Sequence, residues 1–94
     1  MTYMLIRHRV KDSAKWKPLF DEHGATRANS GCKGGKLSRA TDDPHLVVIL
    51  LECDRLEKAQ AFAQSEDLRA TMKRAGIEGA PDVYLLETVE EFTK

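Results

Sequence analysis

His45-Leu46-Val47-Val48-Ile49-Leu50-Leu51-Glu52-Cys53 is the stretch that decides the fold. Branched apolar residues follow one another almost without a break from Leu46 to Leu51, a run far short of the roughly 20 residues that cross a bilayer. Near-continuous apolar character over a strand's length means burial on both faces, so this strand sits in the interior of a sheet. Alternation divides it into two sets: Leu46, Val48 and Leu50 on one face, Val47, Ile49 and Leu51 on the other.

Working outward, Thr41-Asp42-Asp43-Pro44 reads as a turn. Cys32–Ala40 before it reads as a weak strand softened by Gly34 and Gly35. Thr2–Val10 is a short apolar segment that reads as the first strand. Asp12 is placed to cap a helix whose stripe, Trp16, Leu19, Phe20, His23 and Arg27, recurs every three or four residues. Pro18 predicts a kink, or a regular helix that begins only near Trp16, and Gly31 a stop. Beyond Cys53, Asp54 and Glu57 have capping-box spacing ahead of Leu56, Ala59, Phe62 and Ala63. Ser65-Glu66-Asp67 reads as a second helix start, with Leu68, Met72 and Ala75 as its buried stripe and Gly76 as its end. Gly79 and Pro81 predict a loop, Val83–Val89 the last strand, and Phe92 falls in a short acidic tail.

The predicted order is strand, helix, strand, strand, helix pair, strand: an α+β, ferredoxin-like βαββαβ domain with an antiparallel sheet. Helices cover only one face of such a sheet. The set Leu46, Val48 and Leu50, with Leu5, would then lie bare in a lone chain, and an apolar face of that size predicts a two-fold homodimer through the sheet.

Composition narrows the rest. The 94 residues predict a single domain over 1–94, and 41% hydrophobic residues can fill one core. The 15 basic and 15 acidic side chains cancel, so the basic excess of a nucleic-acid binder is missing. No membrane partner is expected either. The opening Met-Thr-Tyr-Met-Leu-Ile-Arg-His lacks a basic leader ahead of a long apolar core, so a cytoplasmic location and two reduced thiols are expected. Cys32 and Cys53 are equidistant from the Asp42–Asp43 turn centre and would face each other in a regular hairpin. A bulge at Gly34-Gly35 would spoil that register.

The chain resembles the dimeric α/β-barrel superfamily, in particular the small stand-alone domains of the antibiotic-biosynthesis-monooxygenase-like kind. Three stretches carry the resemblance. They are His8–Asp12 running into Trp16-Lys17-Pro18-Leu19-Phe20, Val47–Asp54 followed by Leu56-Glu57-Lys58-Ala59, and Ser65-Glu66-Asp67-Leu68-Arg69 with Met72. The resemblance implies two sheets closed face to face and a ligand, where one is bound, between sheet and helices of one protomer. Among such proteins are cofactor-free oxygenases, haem-degrading enzymes, cyclases and isomerases. Oxygenase members often carry a Trp at the end of the third strand, where this chain has Cys53. Haem-degrading members use a helical His in the second half, and no His follows His45 here.

Several residues are placed to carry chemistry. His8 shares a face with Met4 and Ile6, towards the helices, and His23 lies on the Trp16–Phe20 stripe. Two imidazoles at an apolar pocket would act as proton-transfer groups near neutral pH, so His8 and His23 are the candidate catalytic pair; the plainer alternative is two core-edge histidines with one hydrogen bond each. Trp16, Phe20, Ile49, Cys53 and Phe62 are the candidate ligand-binding residues around them. Cys53 also borders a helix N-terminus, where a thiol gains acidity, although Asp54 opposes that and a small buried apolar role competes with it. His8, His23 and Cys53 have the right donors for zinc or copper, but no closely spaced pair exists, so no metal is expected. No cofactor is expected, since Gly34-Gly35 belongs to no phosphate loop or dinucleotide fingerprint. Two functions follow: a homodimeric protein holding a small, partly apolar molecule, or a cofactor-independent monooxygenase, cyclase or isomerase acting on a small aromatic or polyketide-like substrate.

Overall fold

The computed structural model describes residues 2–74 and 76–94. Its elements are β1 (Thr2–Val10), α1 (Ser13–Glu22), α2 (Gly24–Asn29), β2 (Cys32–Ala40), β3 (Asp43–Cys53), α3 (Leu56–Ala63), α4 (Glu66–Arg74) and β4 (Ile77–Glu87). The strands form one antiparallel sheet in the order β2-β3-β1-β4, so the apolar strand β3 is interior, as its composition requires. This is the expected α+β ferredoxin-like arrangement. Among the described residues no helix is long and apolar enough to cross a membrane.

Alternation sorts the sheet into two unlike faces. Met4, Ile6, His8 and Val10 of β1 lie beside Val47, Ile49, Leu51 and Cys53 of β3, all buried beneath the helices with Trp16, Ala59, Phe62 and Leu68. The opposite face carries Leu5, Leu46, Val48 and Leu50, each only half-buried. Register adds Tyr84 opposite Leu5 and Leu86 opposite Tyr3 to that face, 54% and 41% exposed. Arg7 pairs with Asp82 at 3.0 Å, and Arg9 pairs with Asp43.

Local signals hold in part. The Asp12 carboxylate accepts from the Ala14 amide at 3.0 Å and caps α1. Ser65 Oγ accepts from the Leu68 amide at 3.1 Å and caps α4. Pro18, however, lies inside α1, and the helix divides at His23 (ψ 0°), next to Gly24, rather than at the proline. The hydrogen bonds from His23 N to Leu19 O and from Arg27 N to His23 O, both 3.1 Å, carry the helical stripe across that division. Asp54 does not cap α3. Its amide donates to the Gly31 carbonyl at 2.8 Å, prolonging the sheet-like pairing, so the cap position falls on Arg55, which makes no side-chain cap bond.

β4 starts before the predicted loop ends. The backbone of Ile77 and Glu78 already pairs with Val10 and Arg9, and the register slips between Arg7 and Arg9. Pro81 is tolerated there because β4 is an edge strand and Pro81 falls within the slip.

The thiol expectation is overturned: Cys32 and Cys53 form a disulfide, and no described cysteine is free. The bulge does exist, with a register slip between Cys32 and Gly35. It brings Cys32 opposite Cys53, with Cα atoms 4.0 Å apart, instead of separating them. Gly35 is what admits it. Its φ is +140°, and a Cβ there would lie 1.8 Å from the Leu50 carbonyl oxygen, a contact that no side chain survives.

Candidate functional site

The helical face of the sheet does not pack solid. A cavity of about 40 Å³ remains between β1, β3 and the helices. Ile6, His8, Ile49 and Leu51 form its floor, and Trp16, Phe20 and His23 come down from α1 and its C-cap. Arg27 and Phe62 help to close its sides, with Leu68, Thr71 and Met72 of α4 behind them. The helical stripe explains the first group: residues 16, 20, 23 and 27 return to one face of a helix.

His8 is the unusual member. It is 5% exposed, and neither ring nitrogen has a hydrogen-bond partner among the described residues. Its ring meets Trp16 edge to face, with centroids 5.6 Å apart. Burial penalises the charged ring and pushes its pKa down from 6.5 to about 4. At neutral pH His8 is therefore an uncharged imidazole, offering one donor and one acceptor to whatever enters the cavity.

His23 is buried differently. Its Nε2 lies 2.7 Å from Asp67 Oδ2, and its ring stacks on Phe62 at 5.8 Å. An ionised carboxylate only accepts, so Nε2 carries the hydrogen and donates it, which fixes the ring's orientation. Thr71 adds no donor to the cavity, because its hydroxyl donates to the Asp67 carbonyl at 2.8 Å.

The aromatic wall is layered. Trp16 stacks on Phe20 at 5.1 Å, and the Arg27 guanidinium carbon lies 3.9 Å from the Phe20 ring centre. Arg27 also donates through Nη1 to the Phe20 carbonyl at 2.7 Å. Burial lowers the Arg27 pKa, opposed by the charge of Asp21.

His8, His23, Trp16, Phe20, Ile49 and Phe62 thus line one cavity. Cys53 does not: it is spent in the disulfide with Cys32, and the ligand and nucleophile roles considered for it lapse with the free thiol. Arg27 was legible as a stripe residue but not as a wall of the cavity, since its position depends on how α2 follows α1. Asp67 left no signal, because nothing local relates α4 to His23 across 44 residues. Among the described residues no three His, Cys, Asp or Glu side chains gather as a metal centre.

No family model matches the chain. No curated protein matches it by sequence. Solved structures do match over nearly its whole length. One is a Bordetella bronchiseptica protein named as an antibiotic biosynthesis monooxygenase, 17% identical, with a TM-score of 0.78 over 95% of this chain and 97% of the other. Another is SnoaB, a cofactor-independent oxygenase from Streptomyces nogalater, 12% identical, with a TM-score of 0.78 over 99% and 97%. A third, from Deinococcus radiodurans and named like the first, is 16% identical, with a TM-score of 0.74 over 100% and 98%. At such identities the likeness is one of architecture: the chain has the ferredoxin-like fold of the antibiotic biosynthesis monooxygenase-like proteins.

Proposed function

We propose that this chain works as a homodimer closed sheet to sheet, each protomer holding a small, partly apolar molecule between sheet and helices with His8 as its polar anchor. The observation that carries this reading is the His8 ring, buried with both nitrogens unpaired against an aromatic-lined cavity. A buried polar group without a partner costs on the order of 1–3 kcal/mol. A ligand hydroxyl or carbonyl bonded to His8 recovers that loss, so the cavity selects molecules that present a polar group on an apolar body. The half-buried apolar face around Val48 and Leu50 supports the dimer, since no helix among the described residues covers it.

The second reading is cofactor-independent oxygenation, or cyclisation or isomerisation, of an aromatic or polyketide-like substrate. The likeness in fold to SnoaB favours the first of these. His8 is poorly suited to begin such chemistry. With a pKa of about 4 it takes a proton from a phenol of pKa near 10 only against about 8 kcal/mol. His23, held by Asp67, is the better-placed base. Mass spectrometry of freshly purified, denatured protein tests the first reading: a stoichiometric small molecule is expected, and His8→Ala should lose it while the dimer persists. Absence of any retained molecule, combined with oxygen consumption on hydroxylated aromatics that depends on His23, would replace binding with turnover.

A further inference from the structure

The cavity at His8 is too small for most ligands. Its 40 Å³ holds a few atoms, against the roughly 300 Å³ at which small-molecule sites begin. Just outside lies a cleft of about 240 Å³, floored by Gly34, Gly35 and Leu37 of β2. The two spaces share walls: Phe20, Arg27, Ile49 and Leu51 border both. Ile49 and Leu51 belong to an interior strand and cannot move far. Phe20 is half-buried at the end of a layered stack, and Arg27 holds it twice, through its carbonyl and through its ring.

We propose that Phe20 is a gate between the outer cleft and the His8 cavity, that Arg27 is its latch, and that the ligand is an anion with an aromatic or apolar body. The proposal rests on the binding reading above and names the ligand's charge and the residues that admit it. Among the described residues Arg27 is the one cationic side chain bordering both spaces, and Lys36 borders the outer cleft alone. A guanidinium over a ring gains about 0.5–2 kcal/mol from the contact. A hydrogen-bonded pairing with a carboxylate, sulfonate or phenolate is stronger, so an anion arriving in the cleft draws Arg27 off the ring. Asp21, the other charge felt by Arg27, does not compete fully, because Lys17 already donates to its carboxylate at 2.6 Å. Freed of Arg27, and left with only the more distant Lys17 ammonium 5.9 Å from its centre, the Phe20 ring can swing from Trp16 and join the two spaces, so that a hydroxyl or carbonyl on the apolar body reaches His8 while the anionic group stays at Arg27.

Two dyes of one shape test this: 8-anilinonaphthalene-1-sulfonate, an anion, and N-phenyl-1-naphthylamine, its neutral counterpart. Trp16 is the only tryptophan in the chain, so energy transfer from it reports a dye bound to the protein, and loss of that transfer in His8→Leu assigns the dye to this site. Stopped-flow measurements give rates and affinities for wild type, Arg27→Met and Phe20→Ala, with near-ultraviolet circular dichroism confirming the native fold. Phe20→Leu stands in if the alanine variant unfolds. Wild type should bind the anion at least tenfold more tightly than the neutral dye. Arg27→Met should weaken the anion at least tenfold and speed entry of the neutral dye about threefold. Opening the gate at Phe20 should speed both about tenfold. An Arg27→Met variant that leaves the anion unchanged, or weakens both dyes alike, overturns the latch. Unchanged entry rates on opening Phe20 overturn the gate. In both cases, neutral-dye binding that His8→Leu abolishes leaves the binding reading standing. No energy transfer to either dye, even with Phe20 opened, overturns that reading and the gate together.

Discussion

Lowering the pH from 7 to 4.5 should destabilise this protein through His8. The folded ring has a pKa of about 4, and the unfolded ring the ordinary value of 6.5. Between those values the unfolded chain binds a proton that the folded chain refuses, so stability rises with pH across that window and is fully present above 6.5. The limiting contribution of a 2.5-unit difference is about 3 kcal/mol. From pH 7 to pH 4.5 the same linkage gives a loss of about 2.5 kcal/mol, which for a domain of this size lowers Tm by roughly 10–20 °C. The comparison variant is His8→Leu, which keeps an apolar side chain over Trp16 and removes the titration. Urea denaturation from pH 4.5 to 7, at one protein concentration, should show wild type falling below its variant by that amount as pH drops. At pH 7 the variant should be at least as stable, because an unpaired buried imidazole is gone. Parallel pH profiles for the two proteins, within about 0.5 kcal/mol, would refute the reasoning and show that the ring is solvated or paired in solution.

Other expectations follow from single contacts. Val48→Asp places an unpaired charge on the bare sheet face. Sedimentation should show a wild-type dimer at micromolar concentration and a monomeric variant, and a stable wild-type monomer would sink the sheet-to-sheet assembly. Gly35→Ala forces a Cβ into the Leu50 carbonyl oxygen at positive φ, and denaturant melts should lose several kcal/mol or show no folded protein. Reducing Cys32–Cys53 releases a link across 21 positions, and calorimetry with and without a reductant should differ by about 3 kcal/mol. Asp12→Ala should cost about 1 kcal/mol, whereas Asp54→Ala should stay within about 0.5 kcal/mol, since of these two only Asp12 caps a helix; equal losses in thermal melts would contradict the α3 start at Leu56.

The architecture was legible in the sequence because its causes are local and periodic. An apolar run from Leu46 to Leu51 has no stable place except inside a sheet. Period two puts His8 with Ile6 rather than Arg7, and the helical period puts Trp16, Phe20 and His23 on one line. Those rules bring all seven proposed site residues to one side of one sheet without any knowledge of distances. What they cannot report is the meeting of residues far apart in the chain. Cys32 and Cys53 pair because a bulge at Gly34-Gly35 moves one strand by a residue, and a bulge is a register event that composition permits without locating. Asp54 has the spacing of a cap, yet its amide is taken by Gly31, a sheet contact that outweighs the helical signal. Asp67 reaches His23, and Arg27 settles over Phe20, only once α4 and α2 are docked on the sheet. The sequence alone therefore determined the layers and the face on which the proposed site lies. The tertiary structure decided how small the cavity is, which imidazole is left unpaired and which cation guards it, because those depend on packing distances that no periodicity encodes.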